Sequence, residues 1–566
     1  MSSARSSARE HTNDTDATAP QAADLVVLGG TVLTLDGASS RAEALAARDG
    51  RITAIGDDRS IAGLIGDATT VVHLDGRAVI PGFVESHNHP TFFGMALAAP
   101  VDAGSPPNEH IGEIVERVRQ AVRDRGPGEW IRGYRYDDTL LSENRHPTRH
   151  DLDPVSPDNP VILTHVTGHF CVVNSVALQA IGITAQTPDP PGGAIARDER
   201  GEPSGLLIET AAFLANSAMP SQGPEQLAEA LLLADEEYLA HGVTSVHDTG
   251  IGLIAGQGEL DAYRLAAGRM RTRVHGYLFH TLLPGLDDGA PEPPDRSAST
   301  DRFQMTGVKI VADGSIQGRT GCLAEGYTCD RREHGMMLLE PDDLARRIAA
   351  LDAAGWQVAV HGNGDAAIEA IIDGYAKLGA PQGTGRRHRI EHCQTVREDQ
   401  LDRMVEHDIL ASFFIKHVYY WGDRHRDVFL GPKRARRISP LASARSRGIH
   451  FGLHSDTPVT PVPPLEGIWC AVARRTSGDN VLGPEQAIDV EAALRGYTID
   501  AAYLAGEEHI KGSLEVGKVA DLAVLSEDPT AVDTNRIRSL CVDGTVVGGT
   551  LVRRRDGLSV TTGGAR

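Results

Sequence analysis

The chain has little cysteine: six residues in 566, Cys171, Cys322, Cys329, Cys393, Cys470 and Cys541, and no C-x-x-C pair. That is too few for a disulfide scaffold and points to a reducing compartment. Cys393 beside His392 reads either as a nucleophile or as a buried structural thiol, the commoner fate of this residue type. Positive charge is also in deficit. A formal charge of −22 argues against nucleic acid or an anionic membrane as partner, though it says little about a small substrate. No run of 18 apolar residues is present, so no helix is expected to span a membrane. Residues 1–22 are Ser, Ala, Thr, Asp and Arg without the apolar core of a secretory signal. They read as a disordered tail, and a cytoplasmic location is the expectation.

What is present fits a large α/β protein. Apolar residues make up 41%, and 61 glycines supply tight connections. The length suits a large barrel with a minor domain. Both ends read as short strands with turns. Leu25-Val26-Val27-Leu28 runs into Gly29-Gly30, and Asp49-Gly50 precedes Arg51-Ile52-Thr53-Ala54-Ile55, a hairpin signal. Leu522-Ala523-Val524-Leu525 has the same texture near the other end. The two ends are expected to build one small composite β-sandwich from residues 23–79 and 506–553, with a flexible tail over 554–566; two separate β caps are the alternative.

The middle repeats an amphipathic helix, a glycine and a buried strand. Leu227, Leu231, Ala234 and Tyr238 precede Gly242, and Leu344, Ile348 and Leu351 precede Gly355. Eight candidate strands follow: 78–84, 243–247, 273–279, 307–312, 357–361, 389–392, 409–414 and 449–453. Near-continuous apolar strands alternating with helices predict a parallel sheet, closed as a (β/α)8 TIM barrel over residues 80–505 or, alternatively, doubly wound. Residues 91–226 are too many for a plain connection and predict an inserted subdomain over the barrel mouth, with one strand at 160–166.

The strand ends carry the chemistry. His87 and His89 sit i, i+2, which on a strand puts both imidazoles on one face roughly 6–7 Å apart at ~3.3 Å per residue. Lys309 lies inside an apolar strand, His361 and His392 end the fifth and sixth strands, and Asp456 follows the eighth. Polar residues at the C-terminal ends of barrel strands converge on one place. Four imidazoles and a carboxylate suit zinc or another divalent ion, whose bound water has its pKa lowered toward ~7. Asp456 can accept that water's proton and return it to a leaving amine. A buried Lys309 must be paired, neutral or modified.

This constellation resembles the amidohydrolase superfamily. Pro81-Gly82-Phe83 with His87-Asn88-His89, the buried lysine, the two later histidines and the aspartate carry the likeness. Gly168-His169, Gly205-Leu206-Leu207-Ile208-Glu209, Ala312-Asp313-Gly314-Ser315, Gly364-Asp365, Arg389-Ile390-Glu391-His392 and Lys511-Gly512-Ser513-Leu514 narrow it to the amidohydrolase 3 family and its YtcJ-like branch. The resemblance implies two zinc ions bridged by a carboxylated Lys309. His87, His89, Asp456 and Lys309 would hold the more buried ion, and His361, His392 and Lys309 the other. It implies attack by metal-bound hydroxide on an N-acyl or N-formyl amine, with Asp456 as base and the ion at His361 and His392 polarising the carbonyl. Glu85 and His454 depart from the pattern; Glu85 is expected only to support ligands, and His454 only to narrow the site.

Substrate contacts are expected from His169, which would polarise a carbonyl, from Arg319 toward an acidic group, and from His417 and Trp421 in an aromatic wall; a solvated arginine and packing under a loop are the alternatives. The expected partners are a small amide-like molecule and a second copy of the chain, as a homodimer. A cyclic amide, lactone or ester hydrolase with the same centre, and a catalytically idle binding protein, remain as alternative readings.

Overall fold

The computed structural model describes residues 21–105, 107–219, 222–294, 299–379 and 385–564. The expected N-terminal tail lies, through residue 20, outside them. Eight parallel strands form one sheet in the order of a nearly closed barrel: Phe83–Asn88, Val243–Ile251, Arg273–Phe279, Phe303–Val311, Gln357–Gly362, Arg389–His392, Leu410–Phe413 and Phe451–Leu453. The eighth strand returns to the first through side chains, with Ser86 Oγ donating to Leu453 O at 3.1 Å and meeting Ser412 Oγ at 2.9 Å. Helices such as Pro224–Ala240, Pro341–Ala353 and Asp365–Ala376 pack outside. Leu231, Tyr238, Val246, Ile310, Val358 and Ile390 share one apolar core between helices and strands.

The expected strand at 78–84 is two strands. Ala78–Pro81 pairs with Leu522–Leu525 and Thr31–Leu33 in a sheet outside the barrel, and Phe83–Asn88 starts the barrel. Gly82 is the seam. Its N–H donates to Asp521 O at 2.9 Å, while the next residue's N–H donates to Gly242 O at 2.9 Å. A Cβ at Gly82 would lie 2.2 Å from Thr244 Oγ1, so no larger residue fits where the chain changes sheets.

Both chain ends contribute to two further sheets. One has five strands, Ser559–Thr562, Ile65–His73, Ala23–Leu28, Ala44–Arg48 and Arg51–Gly56 in that order. The other has six and includes Thr31–Leu33, Ala78–Pro81, Leu522–Leu525 and Val542–Val547. Leu25 and Val27 from the first and Val79, Leu522 and Val546 from the second share one buried cluster. The flexible tail expected from residue 554 is corrected here. Ser559–Thr562 pairs antiparallel with Ile65–His73, and Leu558 is buried. The alternation is too short and polar to read as a strand without its partner edge.

Between the first two barrel strands lies a mixed six-stranded sheet. Its order is Gly193–Arg197, Pro203–Glu209, Phe170–Val173, Val161–His165, Ile131–Tyr136 and Val101–Asp102. Ile111, Ile114 and Val118 of helix Ile111–Arg123 pack on Ile131, Val161 and Leu163 of this sheet. The barrel seam gives the first test. A Cβ on Gly452 would sit 2.6 Å from Ser86 Cβ and 2.8 Å from Leu504 Cδ1. Gly452→Ala is expected to lower the stability by about 1–3 kcal/mol through overpacking, read as an earlier denaturant midpoint with an unchanged circular dichroism spectrum before the transition.

Candidate metal centre

The barrel's C-terminal ends bring the expected residues together. Ligand atoms of His87, His392 and Asp456 all lie within 4.8 Å of one another. Asp456 Oδ1 is 3.4 Å from His87 Nε2 and 3.3 Å from His89 Nε2, and Asp456 Oδ2 is 3.8 Å from His392 Nδ1. The His361 and His392 rings are 4.4 Å apart, and the His87 and His392 rings 4.7 Å. His89 stands one residue past the first strand, as the cap of helix Pro90–Leu97, so the pair straddles the strand end instead of sharing the strand.

The proton on His87 decides what these atoms can do. Its Nδ1–H donates to Glu391 Oε2 at 2.5 Å, because a carboxylate ion-paired to Arg389 only accepts. The Nε2 lone pair therefore faces the Asp456 carboxylate. Two acceptors at 3.4 Å repel unless a cation lies between them. His392 Nδ1, Asp456 Oδ1 and Lys309 Nζ are all buried without a hydrogen-bond partner. A donor set of imidazoles and carboxylate with orphaned atoms converging fits one or more divalent ions of the zinc type.

The electrostatics agree. Burial, and then the Lys309 ammonium, push His87 and His361 well below the ordinary histidine range. Burial, His361 and Lys309 do the same to His392. All three are neutral imidazoles, the form that binds metal. Burial lowers Lys309 to about 8, against Glu391 and Asp456. Burial raises Asp456, but the contact with His89 at 3.3 Å, with His454 and Lys309 beyond, brings it to about 2. Backbone strain collects at the same place. His392 has φ +70° and Asp456 φ +52°, values that L-residues rarely adopt.

Supporting groups surround the cluster. Glu85 accepts from Ser455 N at 2.8 Å and Ser455 Oγ at 2.7 Å, pinning the turn that carries Asp456. Asp313 Oδ1 accepts from Asn363 N at 3.0 Å, its Oδ2 from Gly364 N and Cys322 N at 2.8 Å each, and it lies 3.5 Å from His361 Nε2. Its signal in the sequence is the Ala312-Asp313-Gly314 motif, which carries no indication of that role. His454 stacks on His87 at 4.7 Å and on Phe414 at 5.2 Å, filling the floor of the site.

The insertion reaches in as well. His169, after Gly168 at φ +74°, lies 5.9 Å ring to ring from His361 and is held through Nδ1 by Glu209 Oε2 at 2.8 Å. Burial lowers its pKa, but Glu209 outweighs this and raises it. A mostly apolar cavity of about 290 Å³ abuts this side, lined by Phe92, Met95, Tyr134, Gly168, Leu227 and Ile254 among others. Phe92 is three residues past His89 and Gly168 precedes His169, so both the barrel side and the insertion contribute to the cavity wall. Arg319 is elsewhere. It pairs with Glu333 at 3.1 Å on a separate cavity of about 490 Å³ that Asp138, His146 and Phe170 also line. His417 is buried against Phe414, 4.1 Å between centroids. Trp421 is 1% exposed, and its Nε1–H donates to Asp137 Oδ2 at 3.0 Å. The tryptophan therefore ties the helix His417–Arg424, after the seventh strand, to the insertion. Trp421→Phe is expected to cost about 1–3 kcal/mol by leaving that buried oxygen unpaired; faster proteolysis within residues 130–170 than in the barrel would register it.

Comparison with known proteins follows the same lines. A model of the amidohydrolase family matches residues 70–553. The chain is 32% identical to N-substituted formamide deformylase of Arthrobacter pascens over 552 residues, 95% of this chain and 99% of the other. It is 31% identical to YtcJ of Bacillus subtilis strain 168, an amidohydrolase by name, over 93% of this chain and 98% of the other. The crystal structure of an uncharacterized metal-dependent hydrolase from Pyrococcus horikoshii OT3 superposes with a TM-score of 0.72 at 25% identity, covering 90% of this chain and 99% of that one. The chain belongs to the amidohydrolase family, metal-dependent hydrolases of carbon–nitrogen bonds.

Proposed function

We propose that the chain hydrolyses the C–N bond of a small N-acyl or N-formyl amine at a two-metal centre. The observation that carries this is the His87 Nε2 lone pair facing Asp456 across 3.4 Å, with His392 alongside. His87, His89 and Asp456 would hold one ion, His361 and His392 the other, with Lys309 between. Bound there, divalent ions supply Lewis acidity toward the carbonyl and lower the pKa of water toward ~7. The orphaned Lys309 Nζ is the group suited to carboxylation. Its neutral amine would add to carbon dioxide with release of a proton, and the carbamate would replace a costly buried ammonium with an anion suited to binding cations.

Asp456 takes the proton of the attacking water on a carboxylate oxygen and returns it to the departing nitrogen. His169, fixed by Glu209, donates a hydrogen bond to the substrate carbonyl oxygen and steadies the charge that develops there. The cavity beside Phe92 and Leu227 takes an apolar substituent on the substrate. The name of the Arthrobacter pascens relative, an N-substituted formamide deformylase, supports an N-formyl substrate. The shared core of the two terminal sheets supports their acting as one composite β-sandwich that braces the barrel at Gly82.

Metal analysis of the full chain after metal-replete expression is expected to give about two equivalents per chain. Lys309→Ala is expected to lose the bridging position and reduce hydrolysis by about 100-fold or more, and Asp456→Asn to lower kcat by about 10²–10⁴. A metal-replete chain with no bound metal, or full activity in Lys309→Ala, would refute the centre. The pocket has its own test. Phe92→Ala is expected to raise KM by about tenfold for formamides with apolar N-substituents and to leave unsubstituted formamide unaffected; equal effects on both would exclude the pocket assignment.

A further inference from the structure

The barrel axis holds more charge than the reading above uses. Starting from the metal-centre end, Glu391 accepts from His87 Nδ1 at 2.5 Å and lies 2.6 Å from Arg389 Nε, an ion contact with an angle too poor for a hydrogen bond. Arg389 donates from Nη1 to His247 Nδ1 at 3.0 Å and from Nη2 to Ser86 O at 3.0 Å, and its guanidinium stacks 4.5 Å over the Tyr277 ring. The His247 and His275 rings meet at 5.4 Å. His275 Nε2 lies 2.6 Å from Glu507 Oε2, which also pairs with Lys511. Lys511 Nζ donates to Ser245 Oγ at 2.7 Å. All of these side chains are buried.

This column runs from the metal ligand His87 to the barrel's opposite end. There the segment before the terminal sheets inserts Glu507 and Lys511. Gly512 stands at φ +90°, and a Cβ there would meet Ile499 Cα at 2.7 Å, so the turn that delivers Lys511 requires glycine. The Lys511-Gly512-Ser513 motif thus has a physical use at a distance from the chemistry. The charges alternate as two neutral pairs, Glu391 with Arg389 and Glu507 with Lys511. Burial raises Glu507, yet Lys511 and His275 hold it well below the ordinary carboxylate range. An Arg389 without His247 and Glu391 would be a buried, unpaired cation.

We propose that Glu391 is a positioning residue for metal binding, which keeps the His87 proton on Nδ1 and its Nε2 lone pair on the ion, and that Arg389, His247, His275, Glu507 and Lys511 brace Glu391 from the far end of the barrel. The inference rests on the metal-centre reading. Carboxylates behind a ligating imidazole orient it and raise its basicity, and their loss weakens metal binding by about 10–100-fold.

The test is zinc affinity, measured on full-length protein by competition with a chromophoric chelator. Thermal unfolding of the metal-free form is followed in parallel. Glu391→Gln keeps the shape and removes the charge. It is expected to weaken zinc binding by about 10–100-fold while the metal-free protein unfolds as the wild type does, and Glu391→Asp to recover part of the loss. His247→Leu, which touches no ligand, is expected to weaken zinc binding by about 3–10-fold through Arg389, and it decides the case if Glu391→Gln does not fold. Wild-type zinc affinity in a folded Glu391→Gln or His247→Leu chain would overturn the positioning role alone. A wild-type chain that takes up no zinc would overturn the metal centre and this role together.

Discussion

The hydrogen bond from His87 Nδ1 to Glu391 sets the terms for the whole barrel mouth. It places an imidazole lone pair opposite a carboxylate, in a largely buried site. Such an arrangement is unfavourable as it stands, and the surrounding fold holds it in place. Seven strand pairings and the Ser86 contacts with the seventh and eighth strands fix the distance between the first strand and Asp456. Glu85 fixes the turn that carries Asp456, and Asp313 fixes the loop beside His361. Strain at His392 and Asp456 is affordable only because those neighbours over-determine both residues.

The use of lysine sharpens the point. The chain has only six lysines among 55 basic residues, and Lys309, Lys416 and Lys511 are buried. Lys511 meets Glu507 and Ser245, and Lys416 meets Pro461 O with Glu466 at 3.4 Å. Each of those two ammonium groups is compensated. Lys309 is different, since its Nζ makes no hydrogen bond and its nearest charges belong to the cluster itself. A protein that puts nearly all of its positive charge on arginine keeps lysine here because an amine, unlike a guanidinium, can lose its proton when buried.

Much of this was legible in the sequence, because strand ends are local features. The apolar runs before His361, His392 and Asp456 mark barrel strands, and the observed strand Arg389–His392 has the expected bounds. The helix Pro224–Ala240 follows from its spacing and the glycine beyond it. Non-local facts were not legible. The seam at Gly82 depends on Thr244, the strand Ser559–Thr562 on the edge of Ile65–His73, and the insertion's short edge strand Val101–Asp102 on Ile131–Tyr136. Glu391 appeared only as the residue before His392. Its alternation points it to the barrel interior, but nothing local says that it meets His87, 304 positions away. The surroundings of Arg319 and Trp421 were not legible for the same reason, since a side chain's direction is settled by what packs on it, here Glu333 and Asp137.

The division between barrel and insertion follows from where each side chain is anchored. The candidate ligands stand at strand ends or one to three residues beyond, where hydrogen-bonded backbone limits their movement. His169 and part of the cavity lining, Tyr134, Thr164 and Gly168 among it, come from the insertion, which meets the barrel through contacts such as Trp421 with Asp137. A change in the insertion can therefore reshape the cavity beside Phe92 without moving His87, Asp456 or His392. Conversely, a change along the barrel axis at Arg389 or His247 reaches the ligands without touching the cavity. On the function proposed, chemistry and substrate choice are thus mechanically separable in this fold. The exception is His169, which the insertion supplies but which stands against His361, and on the function proposed it is there that a substrate's fit and its reaction would be coupled.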